Sequence, residues 1–154
     1  MDHILELVCG LKDTNNKYAY QCMKQLESES ISSDTVYPYF HIFAELLDNT
    51  NSYFRTRAII LIAANAKWDR ANKIDEIIDQ LLKHVEDEKP ITARQCIKVL
   101  PSVARYKPDL ASDIIWALRN ARTYMYQDSM KTLVDKDIKE ALKCIEKITG
   151  SVSG

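Results

Sequence analysis

The chain has 154 residues, 46% of them hydrophobic and 28% charged, enough to bury a core and ordinary for a globular protein. Its formal net charge of −1 argues against a nucleic-acid binder, which needs a basic excess to displace counterions from phosphates. Three glycines and four prolines exclude low-complexity segments, and the glycines are too few to build phosphate-cradling loops.

The amino terminus, Met1-Asp2-His3-Ile4-Leu5-Glu6, carries acids where a signal peptide would be basic. The longest apolar run, Ala58 to Ala64, is too short to span a bilayer, so the expected setting is the cytoplasm with no membrane.

Helical periodicity runs through the whole chain. Ile4, Leu5, Val8 and Leu11 form the stripe of a short first helix. Tyr18, Cys22, Met23 and Leu26 mark a second, which the serine-rich stretch Ser28 to Ser33 is expected to break. A third is expected to start at Ser33 or Asp34, with Pro38 in its first turn and Phe40, Phe43, Leu46 and Leu47 as its stripe. After the turn cluster 48–52, a fourth helix from Ser52 to Ala66 is apolar nearly all round, so several of its sides must be buried. Lys67 to Asp69 reads as a loop, and Ile74, Ile77, Ile78, Leu81, Leu82 and Val85 form a fifth helix.

Pro90 opens a sixth helix through Ala93, Ile97, Leu100 and Ala104, which Pro101 should kink or shorten. Pro108 starts a seventh, with Leu110, Ile114, Ile115 and Leu118. The eighth runs from Ser129 to Ile148 with the stripe Leu133, Ile138, Ala141, Leu142 and Ile145, and Gly150 ends it. No segment alternates as a strand does, so the expected class is all-α.

The chain also repeats itself. Asp13, Asp48 and Asp87 align with offsets of 35 and 39 residues, and the apolar positions around them fall into register. The helices therefore group as four helix-turn-helix units over residues 1–31, 32–67, 68–105 and 106–148, followed by a frayed tail at 149–154. Phe54-Arg55-x-x-Ala58 after the Asp48 turn, and Ala93-Arg94-x-x-Ile97 after Asp87-Glu88, resemble the HEAT-repeat signature of a turn acid, an arginine and an alanine. The chain as a whole is similar to small bacterial HEAT-like proteins. The resemblance implies a short right-handed α-solenoid of the ARM/HEAT type, in which Arg55 and Arg94 are structural and pair with turn acids such as Asp48, Asp87 and Glu88. It brings no catalytic motif.

Within such an array the second helices line the concave side. The positions pointing away from their core stripes are Gln21, Lys24 and Ser28, then Thr56, Ile59 and Ala63, then Gln95, Lys98 and Ser102. Together they would make one strip fit for a peptide or helix laid across it. The expected function is thus a non-enzymatic interaction or scaffold module for a protein partner, as a monomer or a weak homodimer joined through the apolar fourth helix or the amino-terminal end.

Chemistry finds little purchase. His3, His41 and His84 lie far apart, Cys9, Cys22, Cys96 and Cys144 form no C-x-x-C pair, and neither a metal site, a cofactor nor a catalytic residue is expected. Cys22 and Cys96 read as small buried hydrophobes. The tyrosines admit two readings, interface or packing between repeats. The alternative function is a HEAT-like alkyl-base DNA glycosylase, for which Asp113, Trp116, Arg119 and Arg122 would supply the acid, aromatic and basic groups. The competing reading makes Trp116 a core-packing tryptophan.

Overall fold

α1 (His3–Gly10) starts at Asp2, whose carboxylate accepts the Ile4 N–H at 3.1 Å. In this computed structural model, which describes residues 2–150, seven further α-helices follow, and no strand occurs among the described residues. The all-α expectation holds. Of the expected tail at 149–154, Thr149 still belongs to α8 and Gly150 caps it, while 151–154 lie outside the described residues. The chain divides into two units, residues 1–74 and 75–154.

In the first unit α1 packs on α2 (Asn16–Ser32), and α3 (Phe40–Leu46) packs on α4 (Ser52–Ala64), which in turn meets α2. Asn15 and Asn51 cap α2 and α4 with their side-chain oxygens. Leu11, Leu26, Phe40, Phe43, Leu47 and Ile62 are fully or almost fully buried at the centre.

The serine-rich stretch does not break α2. Ser30 is buried, and its hydroxyl bonds back to Leu26 O at 2.8 Å, inside the helix. Its carbonyl accepts the Trp68 indole N–H at 2.8 Å, and its hydroxyl accepts from Asn65 at 3.3 Å. Ser33 therefore closes α2 rather than opening α3, and the segment at Pro38 forms a 3-10 turn, Tyr37–Tyr39. A second 3-10 turn, Ala66–Trp68, follows α4 where a loop is expected. Asp69 then caps the next helix, taking the Lys73 and Ile74 N–H groups at 2.9 and 3.0 Å and the Tyr37 hydroxyl at 2.5 Å. Burial, then the bond to Asp69, pushes the Tyr37 phenol up to about 12.

The second unit takes in most of α5 (Lys73–Leu82), a 3-10 turn at Lys83–Glu86, α6 (Pro90–Tyr106), a 3-10 turn at Pro108–Leu110, α7 (Ala111–Arg119) and α8 (Asp128–Thr149). α6 packs along α8 as the main seam, and α7 packs against both. α6 passes through Pro101 to Tyr106 without being shortened, because Ile97, Leu100, Val103 and Ala104 are all buried on either side of the proline. Gly150 ends α8 at φ 64°, the left-handed conformation expected of it.

The face of α8 is a correction. Its buried positions are Val134, Asp137, Ala141 and Ile145, so the expected stripe residue Leu133 is exposed and Ile138 and Leu142 are only half-buried. A carboxylate occupies the seam because α6 supplies its partner. Arg94 Nε donates to Asp137 Oδ2 at 2.6 Å.

Candidate functional site

Two sequence-predicted arginines turn out to hold structure together. Arg55 donates to the carbonyls of Asn49 and Thr50 at 3.1 Å each, clasping the turn before its own helix. Arg94, expected to meet the turn acids, pairs instead with Asp137, which raises its pKa. Sequence reasoning overlooked Arg57, which is buried. Its guanidinium reaches Leu11 O at 3.0 Å and Asn16 Oδ1 at 3.1 Å and lies over the rings of Tyr53 and Phe54. It ties the end of α1 and the start of α2 to α4.

The proposed strip is interrupted. Gln21, Lys24 and Ser28 are exposed on α2, with Lys24 bonded to Glu27 at 2.9 Å, and Thr56 is half-buried. Ile59 is 0% exposed and Ala63 6%, so neither can touch a partner. The cause is the apolar girth of α4, which α2 and α3 both cover. The same burial removes Ile59 and Ile62 from any self-association surface. In the second unit Lys98 and Ser102 are exposed and Gln95 half-buried.

A better-formed site lies in the second unit, a groove of about 440 Å³. α5 contributes Asp79 and Leu82, and the following 3-10 turn contributes Lys83 and Glu86. Asp113, Trp116 and Asn120 face it from α7 and its end, and Arg122 closes one side. The spacings explain the arrangement: Asp79, Lys83 and Glu86 fall at i, i+4 and i+7, while Asp113, Trp116 and Asn120 fall at i, i+3 and i+7, one face of each element.

The turn that presents Lys83 and Glu86 is fixed from beneath. His84 Nδ1 and Asp87 Oδ2 are 2.7 Å apart, both side chains buried. Asp87 Oδ1 also accepts the Lys89 N–H at 2.9 Å, and Asp87 O accepts the Tyr126 hydroxyl. Burial, then the charges of Asp87 and Glu86, pushes Tyr126 up to about 12. Nearby Cys96 is fully buried with its thiol on Leu81 O, and burial pushes it up, which keeps it protonated and inert. Cys22 and Cys96 are both buried as expected.

Glu86 and Arg122 lock together. Arg122 donates to Glu86 Oε2 from its Nε at 2.8 Å and from its backbone N at 2.7 Å, with a further bond to Oε1 at 3.4 Å. Hydrogen bonding from Arg122 holds the Glu86 carboxyl below its ordinary value. Asp79 and Asp113 carry no such partner among the described residues. Trp116 is 68% exposed, so the core-packing expectation is overturned. Its neighbours three and four residues away, Ser112, Asp113, Arg119 and Asn120, are all polar or charged, so none of them is an apolar cover for the indole.

Of the four residues named for base excision, Asp113, Trp116 and Arg122 do line one groove, while Arg119 lies outside it. Arg122 is occupied by Glu86. Among the described residues no cluster of His, Cys, Asp or Glu could hold a metal ion, and no helix is long and apolar enough to cross a membrane.

No family model matches the chain, and no curated protein sequence does. A crystal structure described as that of an engineered protein aligns with 97% of this chain and 69% of its own, with a TM-score of 0.58 at 16% identity. At that identity the likeness concerns the fold alone.

Proposed function

We propose that this chain is a non-enzymatic interaction module, a short α-solenoid of HEAT-like repeats that takes a segment of a protein partner in the groove beside Trp116. The solenoid reading draws support from packing inside each unit. α1 pairs with α2 and α3 with α4 while α2 meets α4; likewise α7 pairs with α8 while α6 runs along α8. Hairpins whose second helices stack are the unit of such arrays.

The observation that carries the functional reading is the exposure of Trp116 inside a concave site. An indole left in water forgoes roughly 2–3 kcal/mol of burial, and large rigid aromatics at the centre of a depression are the usual anchors of protein interfaces. The groove's volume sits within the range of small binding sites. The DNA-glycosylase alternative is less well supported, since its one groove arginine is already neutralised by Glu86.

A peptide-display selection on the full chain, counter-selected on the Trp116→Ala variant, tests the reading. It should return peptides that depend on Trp116. Peptides that bind the variant equally, or none at all, would overturn it.

A further inference from the structure

We infer that the partner presents a basic side chain, a lysine or arginine, which lies on the Trp116 indole with its charge against Asp113 and Asp79. This rests on the reading of the groove as an interaction site and names the chemistry of its occupant.

Charge and aromatic character meet in the same depression. Five ionisable residues line it: Asp79, Glu86 and Asp113 against Lys83 and Arg122. Glu86 and Arg122 cancel through their 2.8 Å pair, so Arg122 offers no attraction to an anion. What remains is two carboxylates and one lysine, with neither carboxylate in an ion pair among the described residues. Asp113 stands one helical turn before Trp116 on α7, so a cation resting on the indole meets that carboxylate.

An indole face attracts cations and repels anions through its quadrupole, and Trp is the strongest of the aromatic side chains in this respect. A carboxylate within reach adds a charge-assisted hydrogen bond, twofold for a guanidinium. An acidic segment would have Lys83 to meet but would face the indole and two carboxylates, and an apolar one would leave both carboxylates without a cation from the ligand. Polar Asn120, also lining the groove, supplies a further hydrogen-bonding group at its edge.

The probes are three capped pentapeptides, Ac-Ala-Ala-Xaa-Ala-Ala-NH₂, with arginine, norleucine or glutamate at the centre. Each is titrated into the full chain while the Trp116 indole N–H resonance is followed, assigned by its loss in Trp116→Phe. The arginine peptide should give a saturable shift. The combined variant Asp79→Asn/Asp113→Asn, whose two sites are exposed and whose fold is checked by circular dichroism, should weaken it by about tenfold or more. Equal saturation by the norleucine or glutamate peptide keeps the groove as an interaction site and overturns the basic-partner inference. So does arginine binding that the double variant leaves unchanged. Silence from all three peptides overturns the inference, and if the display selection is also empty it removes the interaction reading too.

Discussion

Arg122 holds Glu86 from both its side chain and its own backbone N–H, at 2.8 and 2.7 Å, across 36 residues of sequence. The pair fastens the chain just after α7 to the turn just after α5, and so sets the mouth of the groove in which Trp116 stands. It also removes two of the five charges there from competition for a ligand.

Because Arg122 depresses the Glu86 pKa, the stabilisation from this pair is present above the ordinary carboxylate value near 4.3 and is lost as pH falls through the folded value. Glu86→Gln should therefore be less stable than wild type in urea at pH 7, with the gap closing as pH falls below the ordinary carboxylate range. A gap that persists unchanged at low pH would show that charge is not what the pair contributes.

The Arg94–Asp137 contact has different energetics. Asp137 is 6% exposed, and removing its cation would strand a carboxylate in the α6–α8 seam. Arg94→Ala should cost about 2–3 kcal/mol, below the loss for a fully buried pair because the guanidinium is partly in water. Arg94→Ala/Asp137→Leu should recover most of that, since an apolar residue suits the seam. Urea denaturation of the three proteins decides it.

Gly10 lies where α1 closes on α2. A Cβ there would fall inside van der Waals distance of Cys22 Sγ and 3.2 Å from Tyr18. Gly10→Ala should destabilise by about 1–3 kcal/mol, and Cys22→Ala in the same chain should relieve part of the loss, a non-additivity readable from thermal melts.

Trp116→Ala, by contrast, should leave stability within about 0.5 kcal/mol of wild type, since the side chain is 68% exposed. In a Trp68→Phe background its fluorescence should be quenched more readily by caesium than by iodide once each is normalised to free tryptophan. Preferential iodide quenching would contradict an acidic surrounding.

The helices were legible in the sequence because apolar period and caps agree at most positions, as at Asn15 and Asn51. The face of α8 was not. Leu133, Ile138 and Leu142 make as apolar a stripe as the true one, and the deciding residue, Asp137, is polar with its partner 43 residues away. Ser30 misled in the same way, since its hydroxyl is satisfied within α2 and by Asn65, which no local pattern announces. Trp116, Asp113 and Arg122 could be singled out from residue type and spacing on and beside α7. Their union with Asp79 and Glu86 could not, because it depends on how α5 and α7 are brought together. Ile59 was misplaced because the apolar residues of α4 run nearly all round it, and its open face, marked by Tyr53, Thr56 and Ile60, is itself partly apolar.

The most direct test is the affinity of display-recovered peptides for the wild-type chain and for Trp116→Ala at matched stability, by isothermal titration. Binding to the variant should be at least about 30-fold weaker, the loss expected when a central aromatic anchor is truncated. Equal affinity for the two proteins would contradict it.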